Sequence, residues 1–145
     1  MTRMKVWMKP LALPVSASVA LLLLRLVVGV AFMFHGAGKI VNPFGWMGPD
    51  AGVPGILQAL AALSEFGGGL ALILGLLTPL ASLGIFFTMV VATHMHAVLR
   101  GDPFVAKGGG PSYELALVFL AVSLVFMLVG PGRYSADAKI FGERK

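Results

Sequence analysis

The chain has no cysteine. Disulfides, thiolate metal sites, iron–sulfur clusters and covalent C-x-x-C-H haem attachment are therefore excluded within it, and any redox role requires a borrowed cofactor. Charge is scarce as well: only 12% of the 145 residues are Asp, Glu, Lys or Arg, about half the share usual in soluble proteins. In its place stand 58% hydrophobic residues and a mean hydropathy of +0.93. A domain this small has too little interior to hide that much apolar surface from water. The composition is that of a membrane protein. The net charge of +5 does not point to nucleic acid, because the basic residues gather at the two termini, where they set the orientation of membrane spans.

Apolar runs of about 20 residues occur at about 16–38, 56–77, 79–99 and 112–129. They predict an all-α fold, an integral membrane four-helix bundle forming a single domain over 1–145. Thr78 and Pro79 separate the second and third runs, which predicts a tight helical hairpin with Thr78 as N-cap and Pro79 at the first helical position. Pro111–Ser112 predicts the start of the fourth helix in the same way. The connections Val41 to Gly55 and Arg100 to Gly110 are rich in Gly and Pro and read as loops. Arg3, Lys5 and Lys9 resemble the start of a signal peptide, but the following run is too long and three more spans come after it, so the first span is expected to be retained.

An even number of spans puts both termini on the side of the Thr78 turn. That side holds Arg3, Lys5, Lys9, Arg133, Lys139, Arg144 and Lys145, against Lys39, Arg100 and Lys107 opposite. The positive-inside rule then predicts cytoplasmic termini and two external loops.

A few charges stand inside the apolar runs. Arg25, Gly29, Phe32, Gly36 and Lys39 share one helical face, and Ala61, Glu65, Gly68, Leu72 and Gly75 share another. The glycines of each face permit close helix approach. Arg25 lies roughly 21 Å below Lys39, and Glu65 roughly 14 Å below Ile56. A charge at mid-bilayer needs a partner; the mismatch of about 7 Å is within the spread of the helix ends plus the reach of an arginine, which makes Arg25 with Glu65 the expected pair. A buried pair of this kind also serves simply to fix helix register.

Near the outer helix ends lie His35, Lys39, His94, His96, Arg100 and Glu114. Ser82, Met89, Thr93, His96 and Arg100 form a stripe from which His94 points about 200° away, which favours His96 as the inward histidine. Taken singly these residues have ordinary explanations: Glu114 suits a helix first turn, and Lys39 and Arg100 can snorkel. Together, Arg25, Lys39, Glu65, His96 and Glu114 are expected to face one another in a polar site in the outer half of the bundle. His35, His94 and Arg100 are secondary candidates, and no metal site is expected.

The same residues carry a resemblance. Arg25-x-x-x-Gly29, Gly36-x-x-Lys39-Ile40, Glu65-x-x-Gly68-Gly69-Leu70, Leu74-Gly75-Leu76 and Thr78-Pro79 follow in order. The histidines ending span three, Glu114, Gly130-Pro131-Gly132, Ser135 and Asp137 complete the pattern. From about Leu21 to Asp137 the chain resembles the DoxX family of small four-helix bacterial membrane proteins. The family is named for its likeness to the membrane subunit of a thiosulfate:quinone oxidoreductase. The resemblance implies a multi-pass protein of the bacterial cytoplasmic (inner) membrane and a membrane component of an oxidoreductase system.

The first functional expectation is a quinone-interacting subunit that works with soluble or membrane redox partner proteins. Arg25 or Lys39 would hold a carbonyl, and Glu65 and His96, the catalytic candidates, would manage protons. Phe32, Phe34, Phe66, Phe86 and Phe87 are available to line a ring site, although such aromatics more often face lipid or core. The alternatives are a small-solute transporter or binding module, which with so few helices implies a homo-oligomer, and a membrane scaffold for partner proteins. A b-type haem between His35 and His94 or His96 is a minor alternative.

Overall fold

A computed structural model describes residues 6–144. Four long helices form: α1 (Val15–Val41), α2 (Gly55–Leu74), α3 (Thr78–His94) and α4 (Glu114–Val129), followed by a short α5 (Ala136–Phe141). A π-helical turn, Met95–Leu99, extends α3. There is no strand among the described residues. By length and composition α1, α2 and α3 with its π turn suffice to cross a membrane, and α4 is a shorter apolar helix.

Polar and charged side chains stand in the interior beside an apolar core, and the outside is apolar. Arg25, Glu65, Thr78, Ser82, Ser123 and Asp137 are buried, whereas Phe34 is 80% exposed and Val27 70%. In water this would be unstable; in lipid it is the stable arrangement, because polar groups are kept out of the hydrocarbon and aliphatic chains face acyl chains. Leu21, Val28, Phe32, Leu72, Ile85, Met89 and Phe126 form the apolar core.

Consecutive helices are neighbours: α1 packs on α2, α2 on α3 and α3 on α4. The α1–α2 contact is the tightest, because glycines remove side chains at the crossing. A Cβ on Gly29 would stand 2.7 Å from the Gly69 carbonyl oxygen, and one on Gly69 would stand 2.7 Å from that of Gly29. The backbones of α1 and α4 do not run in close contact.

Four boundaries differ from the sequence reading, the first being that α1 runs on to Val41 rather than ending near residue 38. Helix α2 stops at Leu74 because Gly75 takes a left-handed conformation (φ 64°), and the Leu76 N–H returns to the Ala71 carbonyl. Thr78 is not an N-cap. Leu77 occupies that place with φ 47°, and Thr78 is already helical with Pro79 behind it. The free N–H groups of Leu77 and Thr78 donate instead to the two carboxylate oxygens of Asp137, at 2.6 and 2.8 Å. A carboxylate from α5 takes the role that a local hydroxyl was expected to fill. Helix α4 begins at Glu114, two residues later than expected, with Tyr113 before it.

Two ends can be named from the chain path. The turn end holds the Gly75–Thr78 hairpin and α5, whose Asp137 N–H donates to the Gly75 carbonyl. The first and last described segments also meet there, with Leu11 bridged to Arg144. The loop end holds the two long connections.

Candidate functional site

The loop end contains an ion pair bordered by empty space. Lys39 Nζ lies 2.6 Å from the Glu65 carboxylate. The Glu65 side chain is 3% exposed and that of Lys39 25%. The Trp46 ring covers the ammonium at 4.5 Å, adding a cation–π attraction. Trp46 is held there by Gln58, a buried side chain on α2 that organises the whole loop. Its carbonyl oxygens accept from Trp46 Nε1 (backbone, 2.9 Å) and from Met47 N (side chain, 3.0 Å), and its Nε2 donates to the Val53 carbonyl.

A chamber of about 250 Å³ adjoins the pair between α1, α3 and α4. Its wall includes Phe32, His35, Lys39, Glu65, Met89, Ala92, His96 and Phe119. Phe32 and Phe119 lie 4.8 Å apart between ring centroids, and the His35 ring stands 6.2 Å from Phe119. His96 enters from the π turn. Its Nδ1 lies 2.7 Å from Asp102 Oδ2, and the Asp102 N–H returns to the His96 carbonyl. Asp102 fixes the ring and leaves Nε2 as the nitrogen free for other contacts. The chamber thus offers an ammonium, a carboxylate and two imidazoles beside two phenyl rings.

The expected five residues do not all meet. Lys39, Glu65 and His96 come together, with His35 beside them. Arg25 does not pair with Glu65. It lies at the turn end, fully buried, and its Nη2 donates to the Tyr134 carbonyl at 2.6 Å. Asp137 is the opposite charge acting on it. Gly75 is packed so closely that a Cβ there would fall inside the guanidinium. Arg25 Nε and Nη1 make no hydrogen bond to protein.

Helix polarity explains the exchange of partners. Side chains lean toward the N-terminus of their own helix. Arg25 on α1 therefore leans to the turn end, while Glu65 on antiparallel α2 leans to the loop end. Lys39, higher on α1, leans down to meet Glu65. Cα depth alone does not capture this tilt.

Glu114 is exposed and does not line the chamber, to which α4 contributes Leu115, Ala116 and Phe119. Glu114 is two residues from Ala116, about 200° around the helix. His94 and Arg100 are exposed and also lie outside the lining. Phe34 likewise points outward, as its exposure requires. Asp102, Trp46 and Gln58 were missed. Asp102 carries a faint sequence signal, an acid six residues beyond His96 in a Gly/Pro loop; Gln58 and Trp46 carry none.

Charges and hydroxyls inside, aliphatic side chains outside and an ionisable chamber near one end define a helical membrane protein with a buried polar site. The DoxX family model matches residues 20–98, from the start of α1's buried face to the π turn. The chain belongs to the DoxX family. An uncharacterised protein of Haemophilus influenzae is 33% identical over 122 residues, covering 81% of this chain and 88% of that one. The Inner membrane protein YqjF of Escherichia coli is 32% identical over 125 residues, covering 82% and 90% respectively. No solved structure matches.

Proposed function

We propose that the protein is a membrane component of an oxidoreductase system and binds a quinone ring in the loop-end chamber. The observation that supports this is the composition of the chamber wall: the Lys39–Glu65 pair and His96 face the same space as Phe32 and Phe119. A quinone presents flat π faces to the phenyl rings and carbonyl oxygens to cationic or N–H donors. Its reduction takes up protons with the electrons, a task suited to His96 and Glu65. The chamber's volume lies just below the range for drug-sized ligands, which suits one ring. Electrons come from a partner protein, since the chain has no cysteine to anchor a centre of its own.

The name of the Escherichia coli relative and the apolar helices support a place in the bacterial inner membrane. Lys9, Arg133, Lys139 and Arg144 belong to the turn end, against Lys39, Arg100 and Lys107 toward the loop end. This asymmetry supports a cytoplasmic turn end. Arg3, Lys5 and Lys145 lie outside the described residues.

The test is direct. Protein extracted into native-lipid discs should contain quinone by chromatography of its organic extract. A tail-less dimethoxy-methyl-benzoquinone should also bind the purified protein, with affinity reduced at least about tenfold, the loss of one good contact, by Lys39→Ala or His96→Ala. Absence of quinone together with failure to bind the added ring overturns the proposal.

A further inference from the structure

A second cavity, of about 440 Å³, lies between α2 and α3. It is nearly twice the volume of the chamber and of opposite character. Leu57, Leu60, Ala61, Phe87 and Val91 form its lipid-side wall, and all but Ala61 are more than half exposed on the outside of the bundle. The two cavities share Lys39, Glu65 and Ala92. The ion pair is therefore the partition between them, with the polar chamber on one side and an apolar groove facing the bilayer on the other.

Local packing accounts for the groove. Helices α2 and α3 approach closely at Gly84, where a Cβ would stand 2.7 Å from Ser64 Oγ. From that crossing to Met95 on α3, and to Leu57 on α2, the seam holds the groove. Trp46, Met47 and Val53 roof it at the loop end, so its open side is toward lipid rather than water.

We infer that this groove holds the aliphatic tail of the molecule whose ring occupies the chamber. The inference rests on the ring-binding reading above and specifies its ligand class: a tailed amphiphile that enters sideways from the bilayer between α2 and α3. That both spaces border the same ion pair, one polar and one apolar, favours a single occupant with a polar head and an apolar tail, for which the Lys39 and Glu65 side chains must part. Lys39 and Glu65 stand at the junction of head and tail, where the carbonyls of such a ring would lie. Because lipid tails are as apolar as the groove, transfer of the tail adds little by itself, and its contribution is to place the ring against the ion pair.

The experiment uses one dimethoxy-methyl-benzoquinone ring in two forms, tail-less and with a decyl tail, the second also carrying a photoreactive diazirine near the tail's middle. Irradiation of the wild-type protein in detergent should label the 57–61 and 87–91 segments, and excess tail-less ring should suppress that labelling. The variants Ala61→Trp and Val91→Trp, filling the groove from either side, should weaken the tailed ligand at least tenfold and leave the tail-less ring unchanged, with unaltered melting as the folding control. Labelling spread evenly over all lipid-facing helices, or unaffected by the tail-less ring, marks ordinary lipid in the groove and overturns the inference. Tail-less binding with no effect of either variant on the tailed ligand overturns it too, while leaving the ring site standing. If neither form binds the wild type, the ring-binding reading falls, and this inference with it.

Discussion

The two ends of the bundle each bury a cation near a carboxylate, yet their surroundings differ. At the turn end Arg25 is closed in by Gly75, Ser135 and the Tyr134 carbonyl, and both Asp137 oxygens are occupied by the N–H groups of Leu77 and Thr78. At the loop end Lys39 and Glu65 have a chamber on one side and a groove on the other. The same chemistry is packed shut at one end and left accessible at the other. The turn-end charges have no open space beside them, and the loop-end pair has it on two sides.

The sharpest way to break this comparison is at the turn end. Arg25→Ala removes the buried cation whose field acts on Asp137 and leaves the Tyr134 carbonyl without its donor. Removing one partner of a buried pair costs about 3–5 kcal/mol in soluble proteins. Arg25→Ala should therefore lower the melting temperature more than any change at the loop end. Arg25→Met combined with Asp137→Asn should lose less than the sum of the single changes, by more than about 0.5 kcal/mol. Strict additivity in denaturation assays would show that Arg25 and Asp137 are not coupled.

Gly75→Ala comes next. A left-handed conformation costs a residue with a Cβ about 1–2 kcal/mol, and here the methyl also meets the guanidinium. Gly38→Ala is the control, since nothing lies within 4 Å of its added Cβ. The first should lower the melting temperature clearly and the second leave it within error.

At the loop end the order of effects should reverse. Lys39→Met with Glu65→Leu replaces the partition by apolar side chains, a change that is often neutral or stabilising for a buried pair. The double variant should fold and melt near wild type, yet lose binding of the benzoquinone ring. Retained binding in a stable double variant would make this pair structural as well, and the contrast between the ends would disappear.

The smallest effect is expected from Asp102→Asn. Its carboxylate is partly exposed beside His96, so stability should change by no more than about 1 kcal/mol. The imidazole loses its fixed partner, which should appear as a changed tautomer balance in the nitrogen-15 spectrum of labelled His96. An unaltered spectrum would show that Asp102 does not orient the ring.

Local patterns in the chain were enough to establish the membrane class and the four apolar helices, and they favoured His96 over His94 without deciding it; the glycine that meets Gly29 is Gly69, one residue from the expected face, while Gly68 packs on Ile85 of α3. Hydropathy, a 3.6-residue period and absent side chains are all written in short windows. The partners were set by packing instead. Whether Arg25 meets Glu65 depends on the tilt of side chains along antiparallel helices and on a carboxylate from α5, more than a hundred residues away in the chain. Whether Glu114 points inward depends on how α4 is rotated, which a nearly uniform apolar helix does not encode in its pattern. The two cavities lie on different helix seams and meet at the Lys39–Glu65 pair. An empty volume belongs to no residue; it exists only where helices that touch at Gly84 and Ser64 separate toward the loop end.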